Sequence, residues 1–160
     1  MGGEFAQAAE WNVDQSLDWH LLESPLHAGV QRLVRDLNYL HASEPALHRF
    51  DTQARGFRWV DCHDHDASVF SFLRLGEGGE MVLAVFNFTP VIRENYRVGI
   101  PRSGRYRELL NSDGEEYGGS GVGNLSAVCS APHPAHGFGD SLALRLPPLG
   151  ALLLAIDESD

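Results

Sequence analysis

The sequence is poor in cysteine, in positive charge and in long apolar runs, and each shortage removes a class of protein. Its 160 residues hold two cysteines, Cys62 and Cys129, and no C-x-x-C pair. That is too few for the disulfide framework of a small secreted domain, so a reduced, cytoplasmic setting is expected. Twelve basic residues stand against 22 acidic ones, a formal net charge of −10. Such a chain offers no basic surface to displace counterions from phosphates, which argues against a nucleic-acid or anionic-membrane partner. No apolar run approaches the roughly 20 residues that span a bilayer. The first residues lack the basic-then-apolar pattern of a secretory signal. There is no internal repeat, no G-x-S-x-G elbow and no G-x-x-x-x-G-K loop. "YGGSGVGN" (117–124) is followed by no helical pattern that could supply a phosphate-binding dipole, and reads as an inter-strand loop.

What remains is an ordinary globular composition, 43% hydrophobic and 21% charged, in a chain long enough for one real core plus an appendage. The pattern changes near residue 56. Before it, Val30, Leu33, Val34, Leu37 and Leu40 repeat with helical spacing and make one apolar stripe. Pro45, with Ser43 or Glu44 as cap, starts a second, short helix. After Gly56 the period becomes two. "FRWVDC", "SVFSFLRL", "EMVLAVFNFT", "NYRVGI", "GRYRELLNS", "SLALRLP" and "GALLLAID" are short strands separated by turn signals. "VLAVF", apolar on both faces, belongs at the centre of a sheet. Seven or eight short strands without intervening helices predict a mainly β fold, an antiparallel β-sandwich. The helical stripe has no evident partner within its own third of the chain.

Three clusters carry candidate chemistry. "DCHDHD" (61–66) contains only metal-ligating residue types, but on a strand His63 and His65 face away from Cys62, Asp64 and Asp66. A polar turn between strands explains it better, and no metal site is assigned. "PHPAHGFG" (132–139), with His133 and His136, has the proline and glycine of a loop. In the front segment, Glu4, Glu10, Asp14 and Asp18 interleave with Phe5, Trp11 and Trp19. Carboxylates and amides bind hydroxyls and an indole face covers the apolar face of a pyranose, so this is sugar-site chemistry. The same two tryptophans could equally pack the loop against a core.

"MGGEFAQ", "EWN", "SLDWHLLE", "HAGVQRLVRDLN", "PALHRFD", "GFRW", "NFTPV", "YRVGIP", "YRELLNSD", "YGGSGVGN" and "LPPL" occur in this order. Together they resemble the C-terminal portion of the bacterial 1,4-α-glucan branching enzymes, of the α-amylase-type superfamily. The resemblance runs from residue 1 almost to Asp157. It implies that residues 1–56 are the end of a catalytic (β/α)8 barrel, truncated to its last strand-loop and helices, and that residues 57–160 are the C-terminal all-β sandwich domain. Barrel active sites lie at the C-terminal ends of the strands. Glu4, Gln7, Glu10, Trp11, Asp18 and Trp19 would then line or support a glucan cleft, and Trp59, Tyr96, Tyr106 and Tyr117 are further candidate glucan contacts. At Ala8–Ala9 the sequence departs from the pattern, since some relatives carry a larger or basic residue there.

The family cuts an α-1,4 bond and transfers the freed segment to a 6-hydroxyl, making the α-1,6 branches of glycogen. The implied mechanism is retaining, with nucleophile and acid carboxyls about 5 Å apart. Their motifs match nothing in this sequence, so no residue here is assigned a catalytic role. The chain alone is expected to be inactive and to need no cofactor. Its expected partners are α-glucan chains and the missing barrel. Two rival readings are a free-standing carbohydrate-binding β-sandwich with a helical extension, and a metal protein built on residues 61–66.

Overall fold

The computed structural model describes residues 1–157. Two layers of antiparallel strands form its main body. One sheet has six strands in the order β1-β2-β3-β8-β5-β6, and the other pairs β4 with β7. The strands are β1 Phe57–Asp64, β2 Val69–Leu75, β3 Met81–Asn87, β4 Arg93–Ile100, β5 Arg105–Asn111, β6 Ala127–Cys129, β7 Asp140–Leu146 and β8 Gly150–Ile156. Alternation decides what each strand buries. Val69, Leu73, Leu83, Val85, Leu152 and Leu154 point inward from the large sheet. They meet Val98, Ile100, Leu142, Leu144 and Leu146 from the small one. This inter-sheet core is what a β-sandwich requires.

The sandwich expected from the period-two runs is the one observed. "VLAVF" lies in β3, between β2 and β8, as its two-sided apolarity demands. Strand β6 was not legible. It is three residues long and pairs only with β5, so it needs no apolar pattern of its own. "DCHDHD" is also more strand than turn. Strand β1 continues to Asp64 through register shifts on either side of Asp61. The turn proper follows, where the Asp64 carboxylate accepts from the Ala67 amide.

Ahead of the sandwich lie two helices, α1 Pro25–Ser43 and α2 Pro45–His48. Proline occupies the first turn of each, where the missing N–H costs nothing. Glu44 ends the first helix and precedes the second, as the sequence suggested, though no side chain caps either start. α1 rests on the β domain through a backbone contact. A Cβ on Gly29 would stand 2.1 Å from the Tyr117 carbonyl oxygen, so only glycine allows the approach. Around it, Arg32 Nε donates to the Glu116 carbonyl at 2.7 Å and the Tyr117 hydroxyl donates to Asp36 at 3.0 Å. The glycine-rich stretch therefore has a structural task. Gly118, at φ 89°, turns the chain so that Tyr117 meets the helix.

The apolar stripe of α1 is only partly covered. Leu40 is buried, Val30, Leu33 and Val34 are half-buried, and Leu37 is 38% exposed. The far end of α1, with α2, lies over the outer face of the large sheet. There Leu37, Leu40, Leu47, Arg74 and Leu153 line an open depression of about 330 Å³. Arg74, from β2, ties this corner together by pairing with Asp51 and donating to the Gly56 carbonyl. The guanidinium holds the Asp51 carboxyl below its ordinary range.

Candidate functional site

The front segment folds as a loop anchored by one residue. Phe5 is fully buried, and the Trp19 ring lies against it at 5.2 Å. The Phe5 carbonyl is 2.8 Å from Nδ1 of His27, at the start of α1. Gln7 Oε1 accepts the Asp18 amide at 2.8 Å, and Gln7 Nε2 donates to the Ala9 carbonyl. The glycine at position 2, at φ 86°, and Ala6, at φ 57°, set the tight turn that makes this possible. The structure thus brings together Gln7, Asp18 and Trp19 and leaves Glu4, Glu10 and Trp11 exposed on the loop surface. Of the two tryptophans, Trp19 serves as packing on one face while still half open, and Trp11 is open to solvent.

The four strand and loop aromatics proposed as sugar contacts separate sharply. Tyr106 must be corrected. It is completely buried in the inter-sheet core, its hydroxyl donating to the Arg102 carbonyl at 2.8 Å, and burial pushes its phenol up to about 12. No sugar can reach it. The Tyr96 hydroxyl is committed to Asp64 at 2.6 Å, linking β4 to the end of β1. Burial, then this bond, raises the Tyr96 phenol, and the same bond lowers the Asp64 carboxyl. Tyr117 is committed to Asp36, and its phenol is pushed up to about 12, chiefly by burial. Trp59 alone is open, at 50% exposure.

Trp59 belongs to a continuous aromatic face. Phe57, Trp59, Phe70, Phe72, Phe86 and Phe88 lie on the outer side of β1, β2 and the end of β3. Trp59 meets Phe57 and Phe72 edge-on, with ring centroids 5.0 and 5.8 Å apart. The Phe72–Phe86 and Phe86–Phe88 pairs are stacked at 5.7 and 6.1 Å. Phe70 reaches Phe88 at 5.0 Å and Trp59 at 6.5 Å. A signal for this face was present: each of three consecutive runs carries aromatics two residues apart, which alternation puts on one side. Only the strand pairing shows that the three pairs stand side by side. Flat, solvent-facing rings in a row can stack on the apolar faces of sugar rings.

The histidine-containing segments are structural. His136 Nδ1 accepts the Gly99 amide at 3.1 Å, and its Nε2 faces Asp61 at 3.6 Å. The His133 carbonyl accepts the Ser141 hydroxyl at 2.6 Å. Residues 130–139 therefore strap the edge of the small sheet. Cys62 Sγ lies 3.6 Å from His63 Nδ1. Among the described residues no three side chains of His, Cys, Asp or Glu converge in a metal-binding arrangement, and no helix is long and apolar enough to cross a membrane.

Comparison with known proteins agrees with this geometry. The family model for the alpha amylase C-terminal all-beta domain matches residues 59–157. The chain is 56% identical over 154 residues to the 1,4-alpha-glucan branching enzyme GlgB of Pseudomonas putida, covering 96% of this chain and 21% of that relative. It is 54% identical over 155 residues to the enzyme of that name from Aquifex aeolicus, covering 96% and 25%. For the Cereibacter sphaeroides enzyme the identity is 53% over 154 residues, with 96% and 21% covered. The chain thus spans between a fifth and a quarter of the length of these curated relatives. With its two-layer sandwich and inter-sheet core, this chain belongs to the alpha-amylase C-terminal all-beta domain family.

Proposed function

We propose that this chain forms the C-terminal part of a cytoplasmic 1,4-α-glucan branching enzyme. In this reading residues 1–56 complete a (β/α)8 barrel, and residues 57–160 are the β domain that braces it. The half-covered row of α1 is the observation that carries the reading. Val30, Leu33, Val34 and Leu37 stay partly open, as expected of a helix whose remaining partners are barrel strands. The relatives named above are 1,4-alpha-glucan branching enzymes, and the family resemblance implies the course of the reaction. A glucan α-1,4 bond is cleaved through a covalent glycosyl-enzyme, and the segment passes to a 6-hydroxyl. The carboxyl groups that do this lie outside the present sequence. Its own contributions are positional. Phe5, Gln7 and Trp19 shape a loop on which Glu4, Glu10, Trp11 and Asp18 meet the glucan, and Trp59 offers a second contact on the β domain. The function needs no metal or cofactor.

A chimera tests this. The corresponding segment of the Pseudomonas putida enzyme is replaced by residues 1–160, and branching is followed by the loss of the iodine–amylose absorbance. The chimera is expected to branch amylose, while the isolated 160-residue chain is not. A folded chimera without activity would overturn the proposal. Binding of α-glucan by the isolated chain, alongside an inactive chimera, would favour the independent binding module instead.

A further inference from the structure

At the turn between β1 and β2 the aromatic face ends in a cleft. Asp64, His65, Ser68, Phe70 and Phe88 line a volume of about 330 Å³. Phe70 is 41% and Phe88 55% exposed, with ring planes 55° apart, so the two rings form an open V. The turn that frames them is well fixed. The Phe88 amide donates to the Ser68 carbonyl at 3.0 Å, and the Ser68 hydroxyl donates to the His65 carbonyl at 3.3 Å. Ser68 itself is held at φ 51°, an unfavourable conformation for a residue with a Cβ. An apolar floor of two rings with a hydroxyl and an imidazole at its rim suits a ligand with a flat C–H face and hydroxyl edges. Anions are disfavoured by the neighbouring carboxylate of Asp64, kept ionised by its bonds from Tyr96 and Ala67, and by the net charge of −10.

We propose that the Phe70–Phe88 cleft is a saccharide subsite that takes one glucosyl unit of a neutral α-1,4-glucan chain. The inference rests on the glucan reading above and adds a site to it. Trp59 stands 6.5 Å from Phe70, ring to ring, so a chain seated in the cleft continues along the aromatic face. The subsite would hold a glucan on the β domain, away from the front loop.

The test is a titration of the ¹⁵N-labelled 160-residue chain with maltotetraose, observed by amide NMR. Amides of residues 65–70 and of Phe88 are expected to shift together and saturate. Phe88→Ala and Phe88→Leu should each weaken binding about fivefold, the size of one lost ring contact, with the remaining spectrum unchanged. Leucine retains apolar bulk without a flat face, so the pair separates stacking from simple filling. Shifts confined to the Trp59 region or to residues 1–23, indifferent to Phe88, would refute the subsite and leave the proposed function standing. The absence of any shift at millimolar sugar would also refute it, and the chimera would still report on the enzyme reading by itself.

Discussion

Replacing Gly29 by alanine sets two physical effects of opposite sign against each other. Glycine in a helix interior costs about 1 kcal/mol relative to alanine, so propensity alone predicts a more stable α1. The structure predicts the reverse. The new Cβ would lie 2.1 Å from the Tyr117 carbonyl oxygen and 2.7 Å from its carbon, more than an ångström inside any normal contact. Both atoms are backbone and cannot rotate away. The helix must lift, and the Arg32 bond to the Glu116 carbonyl and the Tyr117 bond to Asp36 lengthen with it. Overpacking of this kind costs about 1–3 kcal/mol, enough to cancel the propensity gain and exceed it. Urea unfolding, followed by tryptophan fluorescence, should show the variant less stable than the parent by up to about 2 kcal/mol, the difference of those two terms. The loss of the Tyr117 contact should also return its phenol towards the ordinary value of about 10 in an ultraviolet pH titration. A variant more stable than the parent would refute the close-contact reasoning.

Tyr96→Phe tests the tie between the two sheets. The Asp64 carboxyl is lowered first by the Tyr96 hydroxyl and then by the Ala67 amide. A lowered acid stabilises the fold above its unfolded value, near 4, and the gain disappears as pH falls through the folded value. The parent should therefore exceed the variant in stability at neutral pH, and the difference should shrink below about pH 4; a pH-independent difference in urea midpoint would contradict this. Phe5→Ala removes the buried anchor of the front loop, where aromatic truncations cost about 3–5 kcal/mol. Because Phe5 packs on Trp19 and not on the inter-sheet core, limited proteolysis should cut within residues 1–23 sooner while the sandwich melts unchanged. Equal loss of both would show that the loop and sandwich unfold as one.

The two carboxyl-lowering contacts illustrate how the chain is stitched. Asp51 precedes β1 and Asp64 ends it, and each is fixed by a residue distant in sequence. Charged residues scattered through the chain gain their meaning from such pairs. The Tyr96–Asp64 contact crosses between sheets, and the Arg74–Asp51 contact closes the join of helices to sandwich. Together they fix both ends of β1, the strand that carries Phe57 and Trp59 of the aromatic face.

The sequence by itself determined the class of this protein. Alternation is a local property of a strand, so the sandwich, the central place of β3 and the switch from helix to strand near Gly56 were legible in residue order. The motif series running from "MGGEFAQ" to "LPPL" located the family for the same reason, since it lies along the chain. Tertiary structure alone decided which aromatic residues face solvent. Tyr106 and Trp59 both stand in period-two runs, yet one fills the inter-sheet core and the other joins a ring-lined face. The irregular registers of β1, β4 and β5 shift the inward-facing positions part-way along a strand, and alternation does not carry across them. The aromatic cleft likewise depends on strands β1, β2 and β3 lying side by side, because residues 18 apart in sequence, Phe70 and Phe88, become neighbours only when the sheet pairs.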